Sequence, residues 1–487
     1  MGIRSVLSKP FAAFVVREQR EWEQKAPDYQ HKTLKNLVSK ASNTVFGNDH
    51  GFKDIRTYDD FKKQVPVRDY EALKPYVEKM LTGQNDVLWP GKPAYFAKTS
   101  GTTSGTKYIP ITKESIPNHI NSARNAILNY VHETGNAKFL DGKLIFLSGS
   151  PVLDQKAGVN TGRLSGIVNH HVPGYLRTNQ LPSYATNCME DWEAKVDKIV
   201  EETIDQDMTL ISGIPPWVQM PVKDVFKNFS LFIYGGVNFE PYRQKLFDTI
   251  GKKVDSVETY PASEGFIAFQ DKQDDPGLLL LANSGIFFEF IPADEYFNET
   301  PTRLSLDQVE LNTNYALIIN SNAGLWGYSI GDTVRFISKD PYKLLVTGRI
   351  KHFISAFGEH VIGEEVENAM KKTLESFPEA DIVEFTVAPN VTPEKGLPRH
   401  EWYIEFSKMP ADITAFKSSL DSSLQKLNSY YFDLISGNIL EQLHIIPVKK
   451  NAFIDYMRSI GKLGGQNKLP RLSNDRKMAE ELLKYKE

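Results

Sequence analysis

The sequence predicts an α/β fold, with a large N-terminal part of mixed sheets and helices followed by a smaller α+β unit. Two observations carry this. Between about residues 90 and 345, short apolar runs alternate with stretches of helical spacing, the pattern of strands interleaved with helices. After about residue 350 the alternation restarts with its own helix, two strands and a second helix. A third observation bounds the size. A chain of 487 residues, 41% hydrophobic and 24% charged, has an ordinary globular composition and ample length for a large core.

Taken in order, residues 11 to about 85 read mostly as helices. Leu34, Leu37 and Val38 recur at helical spacing, and Tyr58 to Val65 continues the pattern. Ahead of them, MGIRSVLSKPFAAFVVREQREW holds a short apolar patch broken by Pro10. The patch is too short to span a membrane, lacks a clear cleavage site, and carries serine at position 5, not where a myristoylation signal needs it. Strands are expected at Lys143–Ser150, Leu231–Gly236, Phe287–Pro292 and Tyr315–Asn320, and helices at Asp191–Ile204 and Pro241–Gly251. In the C-terminal unit a helix at Gly363–Ser376 precedes strands at Asp381–Pro389 and His400–Ser407. The polar, Pro-rich run Pro389–His400 between those strands reads as a hairpin connection, and a helix at Ile413–Leu427 follows.

The formal net charge of −4 predicts no general attraction to nucleic acid or to an anionic membrane. Cys188 is the one cysteine, so an intrachain disulfide and a cysteine metal cluster are both excluded. A cytoplasmic protein is the default expectation.

The most informative stretch is TSGTTSGTK, Thr99 to Lys107, with six hydroxyl residues, two glycines and a lysine in nine positions. Glycines allow tight turns and close approach to a ligand. Hydroxyls and amide N–H groups can then surround an anion to which the lysine adds a full charge. The flanks, Ala94–Lys98 and Tyr108–Thr112, read as extended. The loop is thus expected between two strands, and it does not match the GxxxxGK[ST] spacing of a Walker strand-to-helix turn. In YPASEG, Tyr260 to Gly265, Glu264 follows the strand-like VDSVET and could hold Mg²⁺ against phosphate oxygens; alone, the pattern also fits a solvated glutamate. YSIGD, Tyr328 to Asp332, sets a carboxylate after a glycine turn, suited to a ribose diol, or to an ordinary turn. Gly235 and Gly236 follow an apolar strand and offer flat backbone to an adenine, or a plain strand-to-helix turn. In Thr347–Glu367, Arg349 and Lys351 lie where the large region passes into the small one, and Gly348, Gly358 and Gly363 read as a hinge and two tight turns. The glycine-rich run Gly461–Leu472 carries Lys468.

The order of these runs resembles the motif series of the adenylate-forming superfamily. Within it, the chain is most similar to the auxin-responsive Gretchen Hagen family of acyl acid–amido synthetases. Asn43 to Gly83, with its FG..HGF, VPV.DYE and PYV.KM runs, carries that likeness. The resemblance implies a ligase that uses ATP and Mg²⁺ to adenylate a small carboxylic acid and then transfers the acyl group to an amino acid amine. Thioester formation with coenzyme A and non-catalytic nucleotide binding are the alternatives. It implies a large adenylation domain over residues 1–346, a hinge over 347–352 and a mobile C-terminal lid over 353–487. Thr99, Ser100, Gly101, Thr102, Thr103 and Lys107 match the phosphate loop. Tyr260, Ser263 and Glu264 match the motif whose tyrosine packs near adenine and whose glutamate binds Mg²⁺. Asp332 matches the ribose carboxylate, with Arg349 next to it and Lys351 at the hinge position. Lys468 matches the lysine that reaches the phosphates and the reacting carboxylate. His360 departs from the pattern, standing where plant members carry a lysine that touches ATP. The acyl pocket is expected in the middle region, with Trp217 a candidate. Neither nucleic acid nor membrane is an expected partner, and a monomer or weak dimer is expected.

Overall fold

A computed structural model describes residues 2–487, except 101–105, 148, 173, 190–191, 214–225, 237–242, 244–245, 249, 351–352, 355–360, 437–438, 464–468 and 474–475. The chain divides into two compact units. One comprises Met1–Ile330 and Val334–Leu345, the other Gly331–Thr333 and Val346–Glu487.

The first unit opens on helices: α1 (Ile3–Glu23), α2 (Ala26–Ala41), α3 (Val45–Asp49), α4 (Tyr58–Gln64), α5 (Tyr70–Leu81) and α6 (Ile116–Thr134). Local sequence sets their ends. Thr57 and Asp60 form a reciprocal capping box on α4, and the Asp69 side chain accepts from the amides of Glu71 and Ala72 at the start of α5. Apolar spacing sets their faces, with Leu34, Leu37, Val38 and Ala41 of α2 buried together. Helix α1 runs through Pro10, which corrects the expected break. Pro10 is exposed, and the opposite face, Ala12, Val15 and Val16, is buried.

Two sheets follow. The smaller pairs β1 (Tyr95–Ser100), β2 (Thr106–Ile111), β4 (Asp154–Lys156) and β5 (Val159–Gly162) in the order β2-β1-β5-β4. The larger has eleven strands among the described residues. They are β3 (Lys143–Phe146), β6 (Gln180–Leu181), β7 (Met208–Ser212), β8 (Leu231–Gly235), β9 (Asp255–Ala262), β10 (Gly265–Gln270), β11 (Leu278–Leu280), β12 (Ile286–Pro292), β13 (Asn314–Ser321), β14 (Tyr328–Lys339) and β15 (Tyr342–Arg349). Their order is β12-β13-β14-β15-β11-β10-β9-β8-β7-β3-β6. From β6 to β9 the pairs are parallel, whereas β9–β10, β10–β11 and β12–β13 are antiparallel. β6 and β7 flank β3 and run parallel to it, so no tight hairpin can join them, and helix Trp192–Thr203 lies between them in the chain. The expected strands at Lys143, Leu231, Phe287 and Tyr315 are β3, β8, β12 and β13, each a run of apolar residues largely buried in the sheet.

The second unit has a three-stranded sheet, Asp381–Asn390, Arg399–Lys408 and Glu441–Val448, with helices Gly363–Ser376 and Ile413–Leu427 packed together. Phe385, Trp402, Phe416 and Leu420 fill its core. Gly363 opens the helix expected over Gly363–Ser376, so the tight turn also read at that glycine is absent. Among the described residues no helix is long and apolar enough to cross a membrane.

One buried histidine makes the first unit sensitive to acid. His119 of α6 is 5% exposed, and its Nδ1 has no hydrogen-bond partner among the described residues. Burial pushes its pKa from 6.5 down to about 4. Between those values the unfolded chain binds the proton that the folded chain refuses, so stability falls as pH drops from about 6.5 to 4. The loss by pH 4 is expected to be about 3 kcal/mol from this group. Urea midpoints at pH 7 and pH 4.5 should therefore differ less in His119→Phe than in the parent. An unchanged difference would remove His119 as the cause.

Candidate functional site

Register builds the first part of the site. In the β1–β2 hairpin Thr99 lies opposite Lys107 and Ser100 opposite Thr106. The hydroxyl-rich run thus gives two residues at each end to paired strands. Gly101, Thr102 and Thr103 lie outside the described residues. Beneath the hairpin stands Tyr70, the first residue of α5. Its hydroxyl accepts a hydrogen bond of 2.9 Å from the Tyr108 amide, and its ring lies 5.4 Å from Lys107 Nζ. That contact draws the lysine charge toward the base of the hairpin.

A second hairpin presents Glu264. The sequence reading ends the strand at Thr259, but β9 continues through Tyr260 to Ala262, which pairs with Gly265. Ser263 and Glu264 are therefore the two residues of a tight turn. The turn is anchored from α6, where Asn118 Oδ1 accepts from the Phe266 amide at 2.7 Å and Asn118 Nδ2 donates to the Phe266 carbonyl at 3.0 Å. A Cβ at Gly265 would come within 2.5 Å of Ile286 Cδ1, the end of a side chain that would have to swing aside. The Tyr328 hydroxyl donates to Glu264 Oε1 at 3.4 Å. Burial, and then the Glu264 charge, raise the Tyr328 pKa well above its ordinary value, which keeps the phenol protonated as a donor. Tyr70 thus braces the Lys107 end of the first hairpin, and Tyr328 holds the Glu264 turn of the second.

Beside this turn, Gly235 pairs with Thr259 in parallel register, next to the buried Tyr260. A Cβ on Gly235 would meet the Thr259 carbonyl oxygen at 2.4 Å, and Gly236 has φ +78°. The two glycines let β8 end flush against β9. Among the described residues no group of three or more His, Cys, Asp or Glu side chains is arranged to hold a metal ion. A half-buried carboxylate on a turn, as Glu264 is, suits Mg²⁺ that keeps its waters and is held mainly by substrate phosphates.

In the second unit, Asp332 and Arg349 form an ion pair of 3.2 Å between Oδ1 and Nη1. Asp332 does not follow a glycine turn as expected, since Tyr328–Lys339 is one strand. Gly331 keeps φ +83° within it, its carbonyl accepts from the Ile350 amide at 2.8 Å, and a Cβ there would meet Arg349 Nη2 at 3.0 Å. The bare glycine therefore gives the guanidinium its place beside the carboxylate. In the Gly461–Leu472 run, Arg471 Nε donates to Glu367 at 3.1 Å, its Nη1 donates to Glu384, and Leu472 pairs with Val387. Lys468, Lys351, His360, Gly358 and Trp217 lie outside the described residues.

Sequence reasoning gave no role to Tyr70, Asn118 or Tyr328. Tyr328 opens the YSIGD run and Tyr70 sits in the VPVRDYE run, so both were within view; Asn118 had no signal beyond its place on a helix.

Residues 15–168 match a family model described as the GH3 family N-terminal domain, 279–349 the GH3 family central domain, and 364–477 the GH3 family C-terminal domain. Together these cover well over half of the chain. A jasmonoyl–L-amino acid synthetase, JAR6 of Nicotiana attenuata, is 22% identical over 94% of this chain and 93% of its own. An indole-3-acetic acid-amido synthetase, GH3.3 of Arabidopsis thaliana, is 20% identical over 91% of this chain and 88% of its own. Among solved structures, the GH3.15 acyl acid amido synthetase superposes with a TM-score of 0.76 at 16% identity, over 94% of this chain and 93% of that one. A 2-hydroxyisobutyryl-CoA ligase in the postadenylation state superposes at 0.61 with 12% identity, over 93% and 90%. At these identities the solved structures establish the fold.

Proposed function

The chain belongs to the GH3 family, and we propose from that premise that it is an ATP-dependent acyl acid–amido synthetase. It is a ligase that adenylates a small carboxylic acid and then passes the acyl group to the amine of an amino acid. The observation that carries the reading is that one unit holds both Lys107, over the Tyr70 ring at the end of a hydroxyl-rich hairpin, and Glu264, bonded by the Tyr328 hydroxyl on a tight turn. A hydroxyl-rich hairpin with a lysine, together with a turn-borne carboxylate, is a combination suited to a magnesium-bound triphosphate.

In the first step a substrate carboxylate oxygen attacks the α-phosphorus of ATP, and the bond to pyrophosphate breaks. Negative charge concentrates on phosphate oxygens, so the protein's work is positioning and a positive field. Thr99, Ser100, Gly101, Thr102, Thr103 and Lys107 would cradle the phosphates. Tyr260, Ser263, Gly235 and Gly236 would bound the adenine. Asp332, steadied by Arg349, would accept from the ribose hydroxyls. Glu264 would hold Mg²⁺, which supplies charge neutralisation on the phosphate oxygens. Lys468 would reach the phosphates and the reacting carboxylate. In the second step the amine nitrogen attacks the acyl carbon, the bond to the AMP oxygen breaks, and the amine gives up a proton. The leaving group is good enough that no general base is assigned. Residues 1–346 would form the adenylation domain, 347–352 a hinge around Lys351, and 353–487 a lid that keeps water from the adenylate.

A pyrophosphate-release screen across aryl, indolyl and aliphatic acids tests the reading, with product masses taken in the presence of amino acids or of coenzyme A. Amide products support it. Thioesters alone, or no acid-dependent pyrophosphate, overturn it. Within the site, Tyr328→Phe removes one hydrogen bond to Glu264 and keeps the ring. Adenylation should slow about fivefold to tenfold, with a raised Mg²⁺ requirement. If neither changes, Tyr328 serves packing alone.

A further inference from the structure

Helix α1 is apolar on both sides. Its inner face, Ala12 and Val15, joins one core with Ala126, Tyr130 and Val131 of α6 and with Phe139. Its first turn is pinned, because Asp141 accepts from the amides of Gly2 at 2.7 Å and Ser5 at 3.2 Å. On the outer face stand Ile3, Val6, Leu7, Phe11 and Phe14, at the i, i+3, i+4, i+8, i+11 spacing of one helical face, around the exposed Pro10. They are 79%, 54%, 63%, 43% and 46% exposed. Five large apolar side chains in one stripe, on a helix already fully packed on its other side, mark an interaction surface and not a leftover of core formation.

The rim of the stripe is basic. Arg4, Lys9 and Arg17 are the charged side chains of α1 itself before Glu18, and Asp141 is the acid at its first turn. The Arg17 guanidinium lies 5.8 Å from the Phe14 ring, and Arg124 of α6 lies 5.5 Å from the Phe11 ring. We infer that the outer face of α1 is a docking surface for an anionic lipid membrane, on which the chain rests without crossing it. An interfacial helix buries an apolar stripe at the headgroup boundary and keeps its lysines and arginines against lipid phosphates. The chain-wide charge of −4 averages over this face and conceals it. Charge also decides against a second copy as the occupant. A twofold pairing of two such stripes would set Lys9, Arg17 and Arg124 of one copy against those of the other, with no acid in the first 17 residues and Asp141 already bonded to the amides of Gly2 and Ser5.

The test uses the full chain, tagged at its C-terminus, in flotation with phosphatidylcholine vesicles with and without roughly a third phosphatidylglycerol. Binding to the anionic vesicles only, weakened by salt, is expected. Leu7→Glu with Phe11→Glu should abolish it, with loss of at least about tenfold. Lys9→Glu alone should weaken it by fivefold or more, the loss of one rim charge being worth roughly fivefold. Melting temperature and pyrophosphate release should be unchanged in these variants, because the altered side chains are exposed. Equal binding to neutral vesicles, or none to either, overturns the inference. So does a dimer in sedimentation velocity that the Leu7→Glu, Phe11→Glu change dissolves without any vesicle binding.

Discussion

Replacing Glu264 with glutamine is expected to lower acid-dependent ATP–pyrophosphate exchange by roughly 10²–10³-fold, the scale for removing one preorganised electrostatic group. The change is nearly isosteric. Glutamine keeps an oxygen that can accept from the Tyr328 hydroxyl, now at 3.4 Å. The turn itself is held by Asn118 on Phe266, a contact that does not need the charge. The melting temperature should therefore stay within about 2 °C. What disappears is a negative charge fixed at a hairpin turn. If that charge holds Mg²⁺ on the triphosphate, the residual rate should climb as Mg²⁺ is raised, more steeply than in the parent. Exchange that is undiminished at every Mg²⁺ concentration would remove Glu264 from the site and leave it a solvated turn residue.

Much of the fold was legible where one local rule was enough. Helix Ile413–Leu427 was read to the residue because Asp412 caps it and its apolar spacing is regular. β13 was legible because a strand buried on both faces is a continuous apolar run. What escaped depended on pairing. YSIGD reads as a turn since glycine before aspartate usually makes one, yet β14 runs through it, with Gly331 at φ +83° inside the strand. Tyr70 and Tyr328 look like core aromatics in the sequence. Only the placement of α5 under the β1–β2 hairpin and of β14 near the β9–β10 turn gives their hydroxyls partners. Helix α1 was read as a broken patch because apolar residues on both faces blur the helical period. Phosphate-loop, adenine-side and ribose candidates were visible as motifs, since glycine and hydroxyl content survive any fold. The residues that hold them in place were not.

The other large effect is on stability. Glu289 lies in the apolar run of β12, fully buried, with no hint in the sequence of what neutralises it. Arg303 does so in fork geometry, Nε to Oε1 at 3.0 Å and Nη2 to Oε2 at 2.8 Å. Tyr58 donates to Oε1 at 3.0 Å and Asn320 to Oε2 at 2.8 Å, which completes the carboxylate's partners. Arg303→Met should cost about 3–5 kcal/mol, because it strands a buried charge and because Nη1 also donates to the carbonyls of Val65 and Lys62. Adding Glu289→Leu should recover a large part of that loss, since a buried pair is often matched by apolar residues of similar size. The coupling reaches the site through backbone. Val65 leads into Arg68, whose amide donates to the Gly327 carbonyl at 2.8 Å and whose carbonyl accepts from Ser329 at 2.9 Å, on either side of Tyr328. The single variant should therefore lose adenylation at temperatures where it is still folded, with the rise in Mg²⁺ requirement expected of Tyr328→Phe. If urea midpoints show the double variant no more stable than the single one, the pair is not the source of the cost. The carbonyl contacts to Val65 and Lys62 would then account for it.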